Sequence, residues 1–280
     1  MELTNLSVIR ELMGEESFKK KFGQNFLINP QIPIRIAEAG VCEGVLEIGP
    51  GIGTLTKELC QRAKKVVAIE IDTTLIPILD KTLAEYDNVK VINADVTKVD
   101  LKKLISEEFE GMQVSVCANL PYYITSPIIM QLLEENVVLE KITVMVQKEF
   151  ADRIVSAAGS EQYGAITASV SYYGKVKKLF GVSAGCFMPR PKVDSAVIQI
   201  ELFKNPPVDA DRDLLFKVIR AAFGQRRKTL ANTLTSADLV SKEDVGTVIE
   251  SAGYSRDIRG EKLDIFGFAR LANEIEKLKK

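Results

Sequence analysis

From Val45 onward the chain alternates short, wholly apolar runs with amphipathic stretches. Val45-Leu46-Glu47-Ile48, Val66–Ile71, Val89–Ile92, Val114–Ala118 and Ile142–Val146 read as buried strands, since strands covered on both faces show near-continuous hydrophobicity. Between them Leu55 and Leu59, then Leu75, Leu79 and Leu83, recur at helical spacing. Strand and helix in alternation predict an α/β fold, a parallel sheet with helices on its faces. A helix is expected from about Lys148 to Ala157, and the apolar runs Ala168–Tyr173 and Ser195–Ile200 are expected to close the sheet as strands. Ahead of the sheet, Leu6, Ile9 and Met13 predict one helix. Asn29-Pro30 opens a second, through Ile32, Ile36 and Ala39, which Gly40 stops. Asn205-Pro206-Pro207 breaks the alternation. Beyond it only helical patterns remain: Leu214 to Ala222, one capped at Ser241, and one capped at Asp264. The expected division is therefore residues 1–204, the sheet domain, and residues 205–280, a small α-helical C-terminal domain.

Composition narrows the chemistry. With 46% hydrophobic residues the chain of 280 can bury a full core. Its 37 basic and 38 acidic side chains leave a net charge of −1, which argues against indiscriminate coating of nucleic acid and leaves room for a local basic patch. There is no histidine, so Ser-His-Asp and Cys-His catalysis and imidazole metal sites are excluded. Cys42, Cys60, Cys117 and Cys186 are far apart and form no CxxC pair, so no metal is expected and the cysteines read as reduced, in the cytosol. The N-terminus shows no basic head and apolar core of a signal peptide. The uncharged run Gly111–Leu133 is long enough to span a membrane, but Asn119, Pro121, Ser126 and Pro127 interrupt it with turn chemistry, and no membrane span is expected.

Gly49, Gly51 and Gly53 follow the first strand and precede a helix, a place where glycine permits a sharp turn and close ligand approach. Glu70 ends the next strand, where a carboxylate can accept both hydroxyls of a ribose. Dinucleotide binders and S-adenosylmethionine binders share these features. The dinucleotide pattern wants a small residue where this chain has Thr54, and G-x-G-x-G with Pro50 inside it leans toward S-adenosylmethionine. Asp95, at the end of the third strand, either accepts from an adenine amino group or merely caps the following turn.

Asn119-Leu120-Pro121-Tyr122 follows the fourth strand and precedes a helix expected to be capped by Ser126, with Pro127 at its first position. An aromatic amine is a poor nucleophile because its lone pair is delocalised. Two acceptors, the Asn119 side-chain oxygen and a backbone carbonyl at Leu120 or Pro121, could localise it toward a methyl donor. Tyr122 offers a ring for an extruded base. No titrating base is needed, which suits a chain without histidine. In Phe187–Ser195, Phe187 could close the other face of the base, while Arg190 and Lys192 could meet phosphates. Gln225-Arg226-Arg227-Lys228-Thr229 is the densest basic cluster and a candidate RNA clamp. The Lys19–Leu27 stretch, alone, reads as a basic tail or as a loop covering a ligand.

Phe22–Leu27, Glu47–Gly51, Glu70-Ile71-Asp72, Asn119–Tyr122, Phe187–Ser195 and Phe223–Leu230, in that order, resemble the ribosomal RNA adenine N6-dimethyltransferases of the KsgA/RsmA type. The resemblance implies a Rossmann-like S-adenosylmethionine-dependent methyltransferase sheet with a helical C-terminal domain. It implies dimethylation of two adjacent adenosines near the 3′ end of 16S rRNA in the pre-30S particle, a checkpoint in ribosome biogenesis, and a cytoplasmic monomer. By position, Asn25 and Leu27 would contact the donor's methionine end, beside Gly49, with Gly51 also binding the cofactor; Glu70 would hold its ribose and Asp95 its adenine. Asn119 would lie between donor and target amine, and the Lys19–Leu27 stretch becomes a cofactor-covering loop. Tyr123 stands where many members carry Asn or a small polar residue. Competing readings are a large-subunit (23S) rRNA adenine methyltransferase of the macrolide-resistance kind, an assembly factor whose catalysis is dispensable, and an NAD-dependent oxidoreductase.

Overall fold

The computed structural model describes residues 1–14, 24–135, 137–225 and 227–278. Along the chain, α1 (Leu6–Met13) and β1 (Phe26–Leu27) precede α2 (Gln31–Gly40), β2 (Gly44–Ile48), α3 (Thr54–Cys60) and β3 (Lys65–Glu70). There follow α4 (Ile76–Thr82), β4 (Val89–Asn93), α5 (Leu101–Glu108), β5 (Val114–Asn119), α6 (Thr125–Glu134), β6 (Lys141–Gln147) and α7 (Lys148–Ile154). The remainder comprises α8 (Ala165–Tyr173), β7 (Gly174–Val182), β8 (Phe187–Met188), β9 (Ser195–Leu202), α9 (Arg212–Gly224), α10 (Leu230–Ser236), α11 (Val245–Ser251) and α12 (Ile265–Lys277).

Seven of the described strands form one sheet in the order β4-β3-β2-β5-β6-β9-β7. The β4-β3-β2-β5-β6 neighbours pair in parallel, and β9 runs antiparallel to β6. All of β2 and nearly all of β3, β5 and β6 are buried, as their continuous hydrophobicity predicts. The α/β expectation therefore stands. Strand order reverses between β2 and β5, and the turns that leave these two adjacent strands lead into α3 and α6. That switch point is where ligands bind in open α/β sheets.

Three local expectations are corrected. Ala168–Tyr173, expected as a strand, lies in α8, and the closing strand is instead β7. A short apolar run between two glycines cannot separate a buried helix from a strand by periodicity, and β7 hides behind its exposed Lys175, Lys177 and Lys178. The helix after Tyr122 starts at Thr125, not after a Ser126 cap. A 3₁₀ turn, Tyr122–Ile124, runs into it, and the Thr125 hydroxyl donates to the Pro121 carbonyl at 3.1 Å. The helix after β6 stops at Ile154.

The chain divides into two compact units, Met1–Ala151 with Lys177–Leu202, and Asp152–Val176 with Phe203–Lys280. The sequence division at 204/205 assigns Asp152–Val176 to the sheet; contacts assign it to the helical unit. Within that unit Tyr172 of α8 meets Phe216 of α9 edge-on at 5.4 Å, and Tyr163 meets Phe223 at 5.7 Å. A Pro-Pro break marks where the chain leaves the sheet and carries no trace of an earlier segment recruited by aromatic packing. No described helix is long and apolar enough to cross a membrane.

Candidate active site

At the switch point the C-terminal ends of β2, β3, β4 and β5 open into a cleft, all within the sheet unit. Ile48 is in register with Ala118, so Gly49 and Asn119 leave adjacent strands at the same level. Of the residues singled out from sequence, Asn25, Leu27, Gly49, Gly51, Glu70, Asp95, Asn119 and Pro121 all line this cleft.

The glycine turn is built on left-handed backbone, with φ +69° at Gly49, +62° at Gly51 and +90° at Gly53. At Gly51 a Cβ would also lie 3.2 Å from the Phe26 ring. Gly51→Ala is therefore expected to cost about 1–2 kcal/mol through the backbone alone, read as an earlier urea transition; an unchanged transition contradicts this.

Glu70 ties the turn to β3. One oxygen accepts from the Gly51 N–H at 3.1 Å and the other from the Asp72 N–H at 2.8 Å. Burial raises its pKa, and those backbone donors pull the other way. Each oxygen retains a lone pair for a ligand hydroxyl. Asp72 is itself buried and holds Gln24, whose side-chain amide donates to it at 2.7 Å. This clamp on the segment containing Asn25 escaped the sequence reading; its only trace is the acidic Asp72 two residues past Glu70.

Asp95 caps the turn that follows β4. It accepts from the Thr97 N–H at 3.1 Å and hydroxyl at 2.7 Å as a turn cap, and it also lines the cleft. The Thr97 hydroxyl holds its carboxyl below the usual aspartate range.

Asn119 donates its side-chain N–H to the Asn25 carbonyl at 3.3 Å. That uses the donor side of the amide and leaves its oxygen as the acceptor. The two candidate backbone acceptors separate clearly. The Pro121 carbonyl accepts from Thr125 and from the Ile124 N–H at 3.2 Å, whereas the Leu120 carbonyl takes no hydrogen bond from any described residue. The Leu120 side chain is buried in the core. Tyr122 does not line the cleft. It is half-buried, its hydroxyl 2.7 Å from that of Ser195 at the start of β9. Tyr123 does line the cleft and is exposed.

Phe187 is placed otherwise than as a wall of the pocket. Its ring lies in the hydrophobic core with Leu27 and Val197, 4% exposed, and does not line the cleft. It pairs with Leu27 through the β1–β8 ladder and so supports a strand that does. Arg190 and Lys192 are exposed in the sheet unit. Arg227 and Lys228 are exposed in the turn between α9 and α10 of the helical unit, not on a helix face, and Arg226 lies outside the described residues. Most of the Lys19–Leu27 stretch, Lys19 to Gly23, also lies outside them. The four cysteines are unpaired, and no described cluster of side chains could hold a metal.

A buried carboxylate in the cleft carries no role from sequence. Glu47, on β2, is 1% exposed, and its Oε2 has no hydrogen-bond partner among the described residues. Burial, reinforced by repulsion from Glu70, pushes its carboxyl up to about 8, although the Thr56 hydroxyl beside it pulls the other way without meeting hydrogen-bond geometry. A folded pKa above the unfolded one means that stability falls as pH climbs from about 4.5 to about 8. Glu47→Gln is thus expected to raise the melting temperature at pH 8 and to change it little at pH 4; an equal shift at both contradicts this.

The glycine turn, Glu70, Asp95 and the Asn119 amide form a cleft suited to a nucleoside-bearing donor beside an amine acceptor. The family model for ribosomal RNA adenine dimethylase matches residues 15–274. Ribosomal RNA small subunit methyltransferase A of Lachnoclostridium phytofermentans is 52% identical over 270 residues, covering 94% of this chain and 93% of the relative. The protein of that name from Bacillus pumilus is 49% identical, covering 93% and 92%. The crystal structure of a dimethyladenosine transferase from Plasmodium falciparum superposes with a TM-score of 0.75 at 29% identity, covering 90% of this chain and 97% of that one. That of the 23S rRNA methyltransferase ErmE superposes with a TM-score of 0.70 at 25% identity, covering 90% and 100%. With the model spanning nearly its full length, the chain belongs to the ribosomal RNA adenine dimethylase family.

Proposed function

We propose that this protein transfers methyl groups from S-adenosylmethionine to the N6 amines of two adjacent adenosines near the 3′ end of 16S rRNA, two to each, in the assembling small subunit. The observation that carries this reading is the pairing, at one switch point, of the Glu70-tied glycine turn with an Asn119 amide whose oxygen, like the neighbouring Leu120 carbonyl, takes no hydrogen bond from any described residue. The donor residues fit a nucleoside: Glu70 offers a carboxylate to the ribose, Asp95 one to the adenine, and the turn at Gly49 and Gly51 admits the methionine end close to backbone.

When bound, the sulfonium cofactor supplies an already activated methyl group. The chain's own task is positioning and electrostatics. For the first methyl the Asn119 oxygen and the Leu120 carbonyl would accept both N–H bonds of the target amine, and for the second one of them would accept the single N–H that remains, which draws the lone pair out of the ring and aims it along the transfer line. The positive charge that develops on nitrogen is met by the same two dipoles. The methylated amine would give its proton to water and the spent donor would leave as a neutral thioether, so no side chain has to take that proton up. Tyr123, exposed on the cleft wall, is the ring that the cleft itself offers to an extruded base, and Tyr122, braced by Ser195, stands next to it in the chain. Phe187 contributes by supporting β1. Arg190, Lys192, Arg226, Arg227 and Lys228 contact RNA phosphates. The protein acts as a cytoplasmic monomer and as a checkpoint on assembly of the particle.

The identity to proteins named for the small subunit, 52% against 25% for the large-subunit enzyme, favours the small subunit over the 23S reading. Labelled S-adenosylmethionine offered with unmethylated 30S particles, 50S particles or NAD-linked substrates tests it. Label is expected in 30S rRNA alone; transfer to 50S rRNA, or none, overturns it.

A further inference from the structure

The turn that follows β5 is tied to the two strands beyond it by different means. Leu120 donates its backbone N–H to the Met145 carbonyl of β6 at 3.1 Å. Pro121 has no N–H to give. The next tie is made by a side chain: the Tyr122 hydroxyl lies 2.7 Å from the hydroxyl of Ser195, the first residue of β9. In the sheet β9 is the second neighbour of β5, so the phenol reaches past the end of β6 to find its partner.

Ser195 is a firm anchor. It is 1% exposed and stands opposite Gln147 in the β6–β9 ladder. The residue before it is held from two sides. The Asp194 carbonyl accepts from the Lys148 N–H at 3.0 Å, and its carboxylate accepts from the Ala184 N–H at 2.9 Å. Among the described residues Tyr122 is the one hydrogen-bond partner of the Ser195 hydroxyl. The fold itself has little use for the pair. Alanine and phenylalanine would fill the same places, and replacing both partners of a buried neutral hydrogen bond by apolar groups of like shape is close to neutral. What the bond supplies is geometry. Tyr122 sits between two groups of the acceptor site, the Leu120 carbonyl before it and the Tyr123 ring on the cleft wall after it. Neither Tyr122 nor Ser195 lines the cleft itself.

We propose that Ser195 is a positioning residue for the methyl acceptor: through the Tyr122 hydroxyl it fixes the turn, so that the Leu120 carbonyl and the Tyr123 ring are in place before the target base arrives. This rests on the acceptor reading above and deepens it. A displacement of about 1 Å can cost about 10²-fold in rate, so loosening one of the turn's two ties is expected to cost about tenfold. The loss falls on the transfer step. RNA affinity rests chiefly on phosphate contacts, and the donor's cleft is untouched.

Single-turnover transfer from labelled S-adenosylmethionine to unmethylated 30S particles, both saturating, compares the wild-type chain with Ser195→Ala, Tyr122→Phe and the double variant. Donor Kd and melting temperature are measured on each. Each single variant is expected to transfer about tenfold more slowly, and the double variant no more slowly than either, because all three lose the same bond. Donor Kd is expected to stay within about twofold of wild type, since the lost interaction does not touch the donor. The double variant is expected to melt close to the wild type and still to transfer slowly, which a purely structural bond would not produce. Transfer by Ser195→Ala or by the double variant within about twofold of wild type overturns the inference, as do losses that multiply in the double variant or that follow donor Kd. Should Ser195→Ala not fold, the double variant, which leaves neither hydroxyl buried without a partner, decides alone. Lack of transfer to 30S rRNA by the wild-type chain overturns the acceptor reading itself, and this inference with it.

Discussion

Replacing Asn119 by Ala is expected to lower kcat for methyl transfer about 10²–10³-fold, the loss seen when one preorganised group is removed from a transition state. The amide is held for this by its bond to the Asn25 carbonyl at 3.3 Å, which fixes which side of it is the acceptor. Losing that neutral bond costs about 0.5–1.5 kcal/mol, so donor affinity should weaken by about tenfold at most. Single-turnover transfer at saturating donor separates the two effects. A fall in rate of less than tenfold would show that the Asn119 oxygen does not carry the chemistry.

Glu70→Ala should give the opposite signature. A hydrogen bond to a charged group contributes about 1.5–3 kcal/mol, so removing the ribose acceptor proposed above should weaken donor binding about 10–150-fold. The Gly51 and Asp72 N–H groups lose their acceptor as well, which loosens the glycine turn. Once donor is saturating, the rate should recover to within about tenfold of wild type, because Glu70 does not touch the reacting amine. Titration calorimetry reads the first effect and saturating kinetics the second. An unchanged donor Kd would remove Glu70 from the binding site.

The strand-end residues were legible in the chain because a parallel sheet converts sequence position directly into place. A glycine turn after one buried strand, a carboxylate after the next and an amide after the fourth must converge if the strands are neighbours. The left-handed backbone of the glycine turn and the burial of Glu70 follow from the same pattern. What could not be read depends on packing across the sheet. Which of the Leu120 and Pro121 carbonyls already carries hydrogen bonds depends on Thr125, which donates to Pro121 and starts α6 ahead of the expected Ser126 cap. An aromatic in a Pro-rich segment reads as exposed, yet Phe187 is drawn into the core by its ladder with Leu27. Tyr122 and Tyr123 are adjacent in sequence and opposite in fate, since only Tyr122 meets a partner in Ser195. Glu47 looked like an ordinary strand residue because the cause of its unusual state, burial beside Glu70 without a partner, exists only in the folded sheet.

The central claim is that Asn119 and its neighbouring carbonyl direct methyl groups onto adjacent small-subunit adenosines. The most direct measurement is mass mapping of rRNA from cells lacking this gene, complemented with either the wild-type chain or Asn119→Ala at equal expression. The wild-type chain should restore two dimethylated adenosines side by side near the 3′ end of 16S rRNA, and the variant should leave them unmethylated or nearly so. Full methylation of both positions by Asn119→Ala, or methylation appearing in large-subunit rRNA instead, would contradict it.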